Sequence, residues 1–162
     1  MANEHVATYL NDHLAGSVVA LELMEHLQEA HAGTPLESFL ATLRADVTAD
    51  RHELEGLMEK LHIAESRTRK ATAWLTEKVT EIKLRLDDPA GGALRLMESL
   101  EVLSLGIEGK RGMWLAMAAV AEQAEWLRVV DYERMIHRAE DQRGRVEAER
   151  LNAAKAAMGA TP

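Results

Sequence analysis

Apolar residues recur every three or four positions along most of the chain, which predicts helices rather than strands. Breakers such as Gly33-Thr34-Pro35 and the Gly91-Gly92 pair divide this pattern into five helical segments. The segments cover roughly residues 4–31, 35–62, 66–86, 92–123 and 131–157. No strand-like alternation of apolar and polar residues competes with them, so we expect an all-α protein.

The segment lengths predict how the helices connect. Segments one, two, four and five have roughly 26 to 32 residues each, and short links join one to two and four to five as antiparallel hairpins. If the shorter third segment runs back along the bundle, segments two and four become parallel. We therefore expect a four-helix bundle with a fifth, crossover helix between helices two and four, whose Trp74, Leu75, Val79 and Ile82 pack against the bundle.

Asp50 occupies a position where a leucine is expected. The second segment has a seam of residues spaced alternately four and three apart, namely Leu36, Leu40, Leu43, Val47, Asp50, Leu54, Leu57 and Leu61. A carboxylate on such a seam is costly unless it is paired, hydrogen-bonded or bound to a cation. Counting from matched helix starts puts Asp50 near Ser104, between Glu101 and Glu108.

Two interpretations remain open for the charged residues at the level of Asp50 in the bundle. Residues of the fifth segment at the same level include Arg143, Glu147 and Arg150, and such opposed charges favour a buried salt-bridge network in which Arg143 or Arg150 pairs with Asp50. The alternative is a carboxylate metal site for iron or manganese. Its candidate ligands are Asp50, Glu101, Glu108 and His13. His13 lies on an inward-facing seam of the first segment, where a lone histidine is more often structural than a ligand.

Four segments of the chain resemble a group of uncharacterised bacterial proteins placed with the ferritin-like superfamily: YLNDHLAGSVVALELMEHL (9–27), ATAWLTEKVTEIKL (71–84), LEVLSLGIEGKRGMW (100–114) and RAEDQRGRVEAERL (138–151). The resemblance implies a ferritin-like bundle. Di-iron relatives typically use Glu-x-x-His pairs, but here the only such pair is Glu59 and His62 in the last turn of segment two. Arg143 stands where a ligating His would lie in segment five, and arginine cannot ligate a metal. We expect no cofactor, with iron or manganese as the alternative.

Gly106, Gly109 and Gly112 repeat every three residues inside the fourth segment. Each costs about 1 kcal/mol of helix propensity relative to alanine, so three together indicate a packing requirement that favours glycine. A stripe without side chains lets another backbone approach closely, either the crossover helix or a second subunit. Met113, Trp114 and Met117 extend this apolar surface, which is typical of a core or an interface. We therefore expect a homodimer.

Composition narrows the class of protein. A chain of 162 residues with 47% hydrophobic residues fits one domain spanning 1–162. The absence of cysteine excludes disulfides, thiolate catalysis and Cys-ligated metal clusters. A net charge of −8 disfavours nucleic-acid binding and binding to anionic membrane surfaces. The N-terminus resembles no signal peptide and no run of about 18 apolar residues occurs, so a cytoplasmic protein without a membrane span is expected.

No catalytic constellation emerges from the sequence. The serines lie on no recognisable strand-turn-helix elbow, and the GxxxxGK[ST] spacing of a phosphate loop is absent. The leading hypothesis is a non-catalytic helical-bundle protein, an oligomeric interaction or stress-related module with a buried charge network. The alternative is a metal-binding, ferritin-like oxidoreductase or storage protein.

Overall fold

The computed structural model describes residues 3–66 and 92–159, together with Glu77 and Thr80. This part of the chain has no strand, and its long helices are α1 (Glu4–Ala30), α2 (Pro35–Lys60), α3 (Gly92–Gln123) and α4 (Tyr132–Met158). A short 3-10 helix, Glu125–Leu127, lies between α3 and α4. The all-α prediction is confirmed. The predicted crossover helix, with Trp74, Leu75, Val79 and Ile82, lies outside the described residues.

Local side-chain chemistry accounts for the helix ends. The side chain of Asn3 accepts a hydrogen bond from the N–H of His5 and caps α1, and Asp131 caps α4 by accepting from the N–H of Arg134. Gly33 supplies the positive φ of 78° in the turn between α1 and α2. Thr34 is the N-cap residue of α2, and its side chain makes no capping hydrogen bond. Glu37 reaches back to the N–H of Gly33, one residue before the cap, at 2.7 Å.

The core consists of two clusters, one toward each end of the bundle. One contains residues from the C-terminal halves of α2 and α3, including Leu57 and Met117. The other contains residues from their N-terminal halves, including Leu40 and Leu103. Helices α2 and α3 therefore run in the same direction, as predicted. The end of α2 and the start of α3 therefore lie at opposite ends of the bundle.

Asn11 fixes the chain where it leaves α2. This buried side chain of α1 donates from Nδ2 to the carbonyl oxygen of Ala64 at 3.2 Å, and its Oδ1 accepts from the N–H of Ser66 at 2.6 Å. Nδ2 also donates to the carbonyl oxygen of Ala7 in its own helix. One amide thus satisfies backbone groups of a segment that has no helical hydrogen bonds of its own, which holds residues 64–66 against α1.

The two helices of the second hairpin differ in their outer surfaces. The outward face of α4 is largely charged and includes the exposed residues Glu133, Glu140 and Arg143, whereas α3 exposes Val102 and Leu105. Apolar residues thus lie on both the inner and the outer side of α3, which is unusual for a helix at the surface of a bundle. None of the described helices combines the length and apolar character needed to cross a membrane.

Candidate functional site: a buried charge cluster beside an apolar cavity

Asp50 is the centre of a buried polar cluster at mid-bundle. Its side chain is 2% exposed and lies on the α2 seam between Val47 and Leu54, which are also buried. Its Oδ1 accepts a hydrogen bond from Nε of Arg138 at 2.7 Å. Its Oδ2 accepts from Nζ of Lys110 at 2.5 Å and from Nε2 of Gln142 at 2.7 Å. The prediction of a buried, paired carboxylate is confirmed.

Lys110 and Gln142 complete a closed ring with Asp50. Lys110 Nζ donates to Oε1 of Gln142 as well as to the carboxylate, so each of the three side chains contacts the other two. Burial lowers the pKa of Lys110, and the charge of Asp50 opposes this lowering. The ring joins α2, α3 and α4 through side chains whose polar groups satisfy one another, which is the condition for a stable buried network.

Ion pairs extend the α2–α4 contact from the ring to the surface. Nη2 of Arg145 donates to Oδ2 of Asp46 at 2.6 Å, and its Nε donates to Asp141 at 2.9 Å. Arg138 also approaches the carbonyl oxygen of Asp46, at 3.5 Å. Pairs of this kind on a surface contribute little stability each, so the buried ring carries the specificity of the contact.

The predicted partners of Asp50 are wrong. Arg143 lies 3.5 Å from Glu108, and Arg150 pairs with Glu147 at 2.7 Å, both on the partly exposed α3–α4 surface. The error is one of register. Helix α3 has 32 residues and α2 has 26, so matching their starts does not match their middles, and the contact of Asp50 with Lys110 sets the register. Asp50 is therefore level with Lys110 instead of Ser104.

Glu147 is the carboxylate whose titration the surroundings change most clearly. Hydrogen bonds from Arg150 and from the hydroxyl of Ser104 lower the pKa of Glu147 to about 2. The charge of Arg143 acts in the same direction. The layer predicted as a single network is thus two groups, a buried one around Asp50 and a partly exposed one around Glu147.

The four candidate metal ligands do not form one cluster. Asp50 is occupied by its three donors, and Glu108 pairs with Arg111 and Arg143. Glu101 is exposed on α3. His13 on α1 contacts the ring of Tyr9 edge-on at 4.7 Å between centroids, and burial lowers its pKa. Over residues 3–66 and 92–159, no group of three or more His, Asp or Glu side chains is placed to hold a metal ion.

An apolar cavity of about 630 Å³ lies beside the ring, between α1 and α3 and above α2. Small residues form its two side walls: Gly16, Ser17 and Ala20 on α1, and Gly106 and Gly109 on α3. A Cβ added at any of these three glycines would meet no atom within 4 Å. The close backbone approach predicted at the glycine stripe is therefore not made by any described residue. Open space lies there instead.

The spacing of apolar residues also indicates that two other members of the ring, Lys110 and Gln142, are largely buried. Lys110 continues the buried spacing of Leu103, Ile107, Trp114 and Met117 on α3, the same four-three pattern that singled out Asp50. Gln142 lies between Ala139 and Val146 on α4 in the same way. Arg138 gave no such signal, because its side chain reaches Asp50 from the edge of the α4 seam.

Comparisons of the chain with known protein families, with curated proteins and with solved structures found no match. Its function must therefore be argued from the charge ring, the cavity and the outer faces of the helices.

Proposed function

We propose that this chain is a non-catalytic, ferritin-like helical-bundle protein that acts as an oligomeric interaction module, with a structural charge ring at the level where relatives of that fold hold metal. The observation that carries the proposal is that both carboxylate oxygens of Asp50 already accept hydrogen bonds from protein donors.

The chemistry of the ring favours structure over metal binding. A divalent ion at Asp50 would have to displace Lys110 or Arg138, whose cationic groups lie 2.5 and 2.7 Å from the carboxylate. The cation that remained would repel the metal at close range. A metal site also needs several oxygen or nitrogen ligands. Among the described residues, Asp50 belongs to no group of three or more His, Asp or Glu side chains that could hold a metal ion.

The direction of the helices supports the ferritin-like part of the proposal. Helices α2 and α3 are parallel, although each belongs to an antiparallel hairpin. A connection that returns along the bundle is then required, and one long crossover between two hairpins is the ferritin-like order. The crossover helix itself remains a prediction.

The outer face of α3 supports the oligomeric part. Exposed small or apolar residues follow one another there at intervals of three or four, and we call them the outer stripe: Val102, Leu105, Gly109, Gly112, Ala116 and Val120. Leu105 is 65% exposed, and a Cβ at Gly109 or Gly112 would meet nothing within 4 Å. Apolar stripes of this length on a surface mark interaction sites.

The outer stripe is complementary to itself. Its N-terminal half carries Val102 and Leu105, and its C-terminal half carries Gly112 and Ala116. If two copies pair antiparallel about the midpoint between Glu108 and Gly109, Leu105 of one copy faces Gly112 of the other. Large residues then fill the spaces left by small ones, as a two-fold symmetric interface requires. A second copy of this chain is therefore the partner that we propose.

Light scattering coupled to size-exclusion chromatography tests the oligomeric proposal. The wild-type chain should elute as a dimer, and Leu105→Glu should shift it to a monomer, because a charge would be buried in the interface. Leu151→Glu is the matched control, since Leu151 is 50% exposed on α4, away from the stripe. A wild-type chain that stays monomeric at every concentration tested would contradict the proposal.

Elemental analysis tests the metal alternative. Protein purified without chelator should carry substoichiometric iron and manganese, and ferrous iron should cause no catalysed oxygen uptake. Stoichiometric metal that is lost in an Asp50→Ala, Glu108→Ala double variant would instead support the metal-binding alternative.

A further inference from the structure

The cavity between α1 and α3 has the features of a small-molecule site. Its volume of about 630 Å³ is in the range of roughly 300 to 1,000 Å³ that ligand pockets occupy. Apolar side chains and glycines line most of it, including Leu23, Met24 and Ile107. Polar groups in the interior are few, as is typical of sites that recognise an apolar ligand with one polar end.

Trp114 carries an unsatisfied donor behind the wall of this cavity, and the indole has no exposed surface of its own. Its side chain is completely buried and lines the cavity, yet its indole Nε1 has no hydrogen-bond partner among the described residues. Buried tryptophan N–H groups usually find an acceptor.

Lys110 presents a second donor on the same helix face, one turn before Trp114. Its ammonium group has three protons and donates to Asp50 and Gln142, which leaves one. Asp50, Lys110 and Arg138 together carry one net positive charge, and Asp46, the other carboxylate that acts on Lys110, is paired with Arg145. This end of the cavity therefore attracts an anion.

The other charged groups around the cavity also favour an anion at the Lys110 end. Asp12 is exposed at the mouth and repels an anion there, and Arg51 is neutralised by Glu55 at 2.7 Å. His13 lies on the wall opposite Lys110, and burial lowers its pKa, so it remains an uncharged polar contact at neutral pH.

We infer that this cavity binds a long-chain carboxylic acid of the fatty-acid class, with its carboxylate beside Lys110 and its alkyl chain along the glycine-lined walls. The groove between Gly16 and Gly106 accommodates a slender chain. A polar region at one end only matches a molecule that is polar at one end only. Val102 and Gly109 belong both to the outer stripe and to the cavity lining, so a dimer formed through that stripe would lie beside the cavity.

Isothermal titration calorimetry with the full-length chain tests the inference. Palmitate, used below its aggregation concentration, should bind saturably, and hexadecanol, which has the same chain without the carboxylate, should bind at least about tenfold more weakly. Lys110→Met should lower the affinity for palmitate to that for hexadecanol without changing hexadecanol binding. A merely structural role of Lys110 would affect both ligands equally, and that result would overturn the carboxylate assignment.

Gly16→Leu tests the location of the site. A side chain at Gly16 enters free space in the cavity, so the variant should fold and melt cooperatively but bind palmitate at least about tenfold more weakly. Gly144→Leu is the matched control, because Gly144 on α4 also has free space around it and does not line the cavity. Its affinity should equal that of the wild type.

Two results would overturn the inference. One is the absence of saturable palmitate binding to the folded wild type. The other is unchanged palmitate affinity in a folded Gly16→Leu variant, since that would place the binding elsewhere. Light scattering on the same sample shows whether the chain is a dimer, so a failure of palmitate binding and a failure of the dimer proposal can be distinguished.

Discussion

The carboxylate Oδ2 of Asp50 on α2 lies 2.5 Å from Nζ of Lys110 on α3, and the two residues are 60 positions apart in the chain. Asp50 belongs to the first hairpin, whereas Lys110 belongs to the second. The contact therefore joins the hairpins across the interior of the bundle. Both side chains are largely buried, and each charge offsets the desolvation cost of the other. Removing either one leaves the other buried without this partner.

We predict that Asp50→Ala lowers the free energy of unfolding by about 3–5 kcal/mol, because Lys110 would be left buried without its counter-ion. Urea denaturation followed by circular dichroism measures this change. Asp141→Ala is the control, since that carboxylate is 70% exposed and should cost less than about 1 kcal/mol.

An Asp50→Leu, Lys110→Met, Gln142→Leu triple variant should recover most of that loss, because it replaces all three side chains of the buried ring with apolar ones of similar size. Arg138 can turn to solvent, since its side chain is already 34% exposed. If Asp50→Ala were neutral, the ring would have no structural role.

The seam of α2 was sufficient to predict that Asp50 is buried and paired, because heptad spacing depends only on helix geometry. Its partners could not be predicted in the same way. The choice among Lys110, Arg138, Arg143 and Arg150 depends on the relative axial positions of helices from different hairpins. An unequal helix length shifts that position, and a shift of one or two turns brings a different cation to Asp50.

The cavity was not predictable from the sequence either. Gly106 and Gly109 indicated that something passes close to α3, but the same pattern is compatible with a neighbouring backbone, a second subunit or empty space. Only the separation of α1 and α3, which follows from the packing of all the helices, shows an opening at this point. The unsatisfied Nε1 of Trp114 likewise has no sequence signal, because it depends on what surrounds the indole.

Acid should weaken the stability that Glu147 provides. The folded-state pKa of Glu147, about 2, is below its ordinary value of 4.5, so the unfolded chain takes up a proton first as the pH falls. The stabilisation is therefore complete above pH 4.5 and is lost as the pH falls toward 2. The difference in melting temperature between the wild type and Glu147→Gln should be largest near neutral pH and should shrink over this interval. A difference that stays constant from neutral pH down to the folded-state pKa would contradict the assignment.

Asn11→Leu should destabilise the protein by about 1–3 kcal/mol, because it leaves the carbonyl oxygen of Ala64 and the N–H of Ser66 without their partner. Hydrogen exchange measured by NMR should show faster exchange at Ser66 in this variant, while amides in the middle of α3 should keep their relative protection. Asn11→Asp retains the acceptor for Ser66 but loses the donor to Ala64. Its Ser66 amide should therefore stay protected, and equal exchange in both variants would contradict the contact.

Alanine substitutions at two exposed glycines separate helix propensity from packing in the proposed dimer. Gly144 on α4 and Gly112 on α3 both have free space where a Cβ would lie, so alanine should stabilise each helix by up to about 1 kcal/mol. At Gly144 the gain should appear as a higher melting temperature at every protein concentration. At Gly112 the added methyl group would meet Leu105 of the second copy, so the dimer dissociation constant should rise even though the dilute monomer melts at a higher temperature. Melting curves at several concentrations, combined with sedimentation equilibrium, measure both effects, and an unchanged dissociation constant for Gly112→Ala would show that the outer stripe is not the interface.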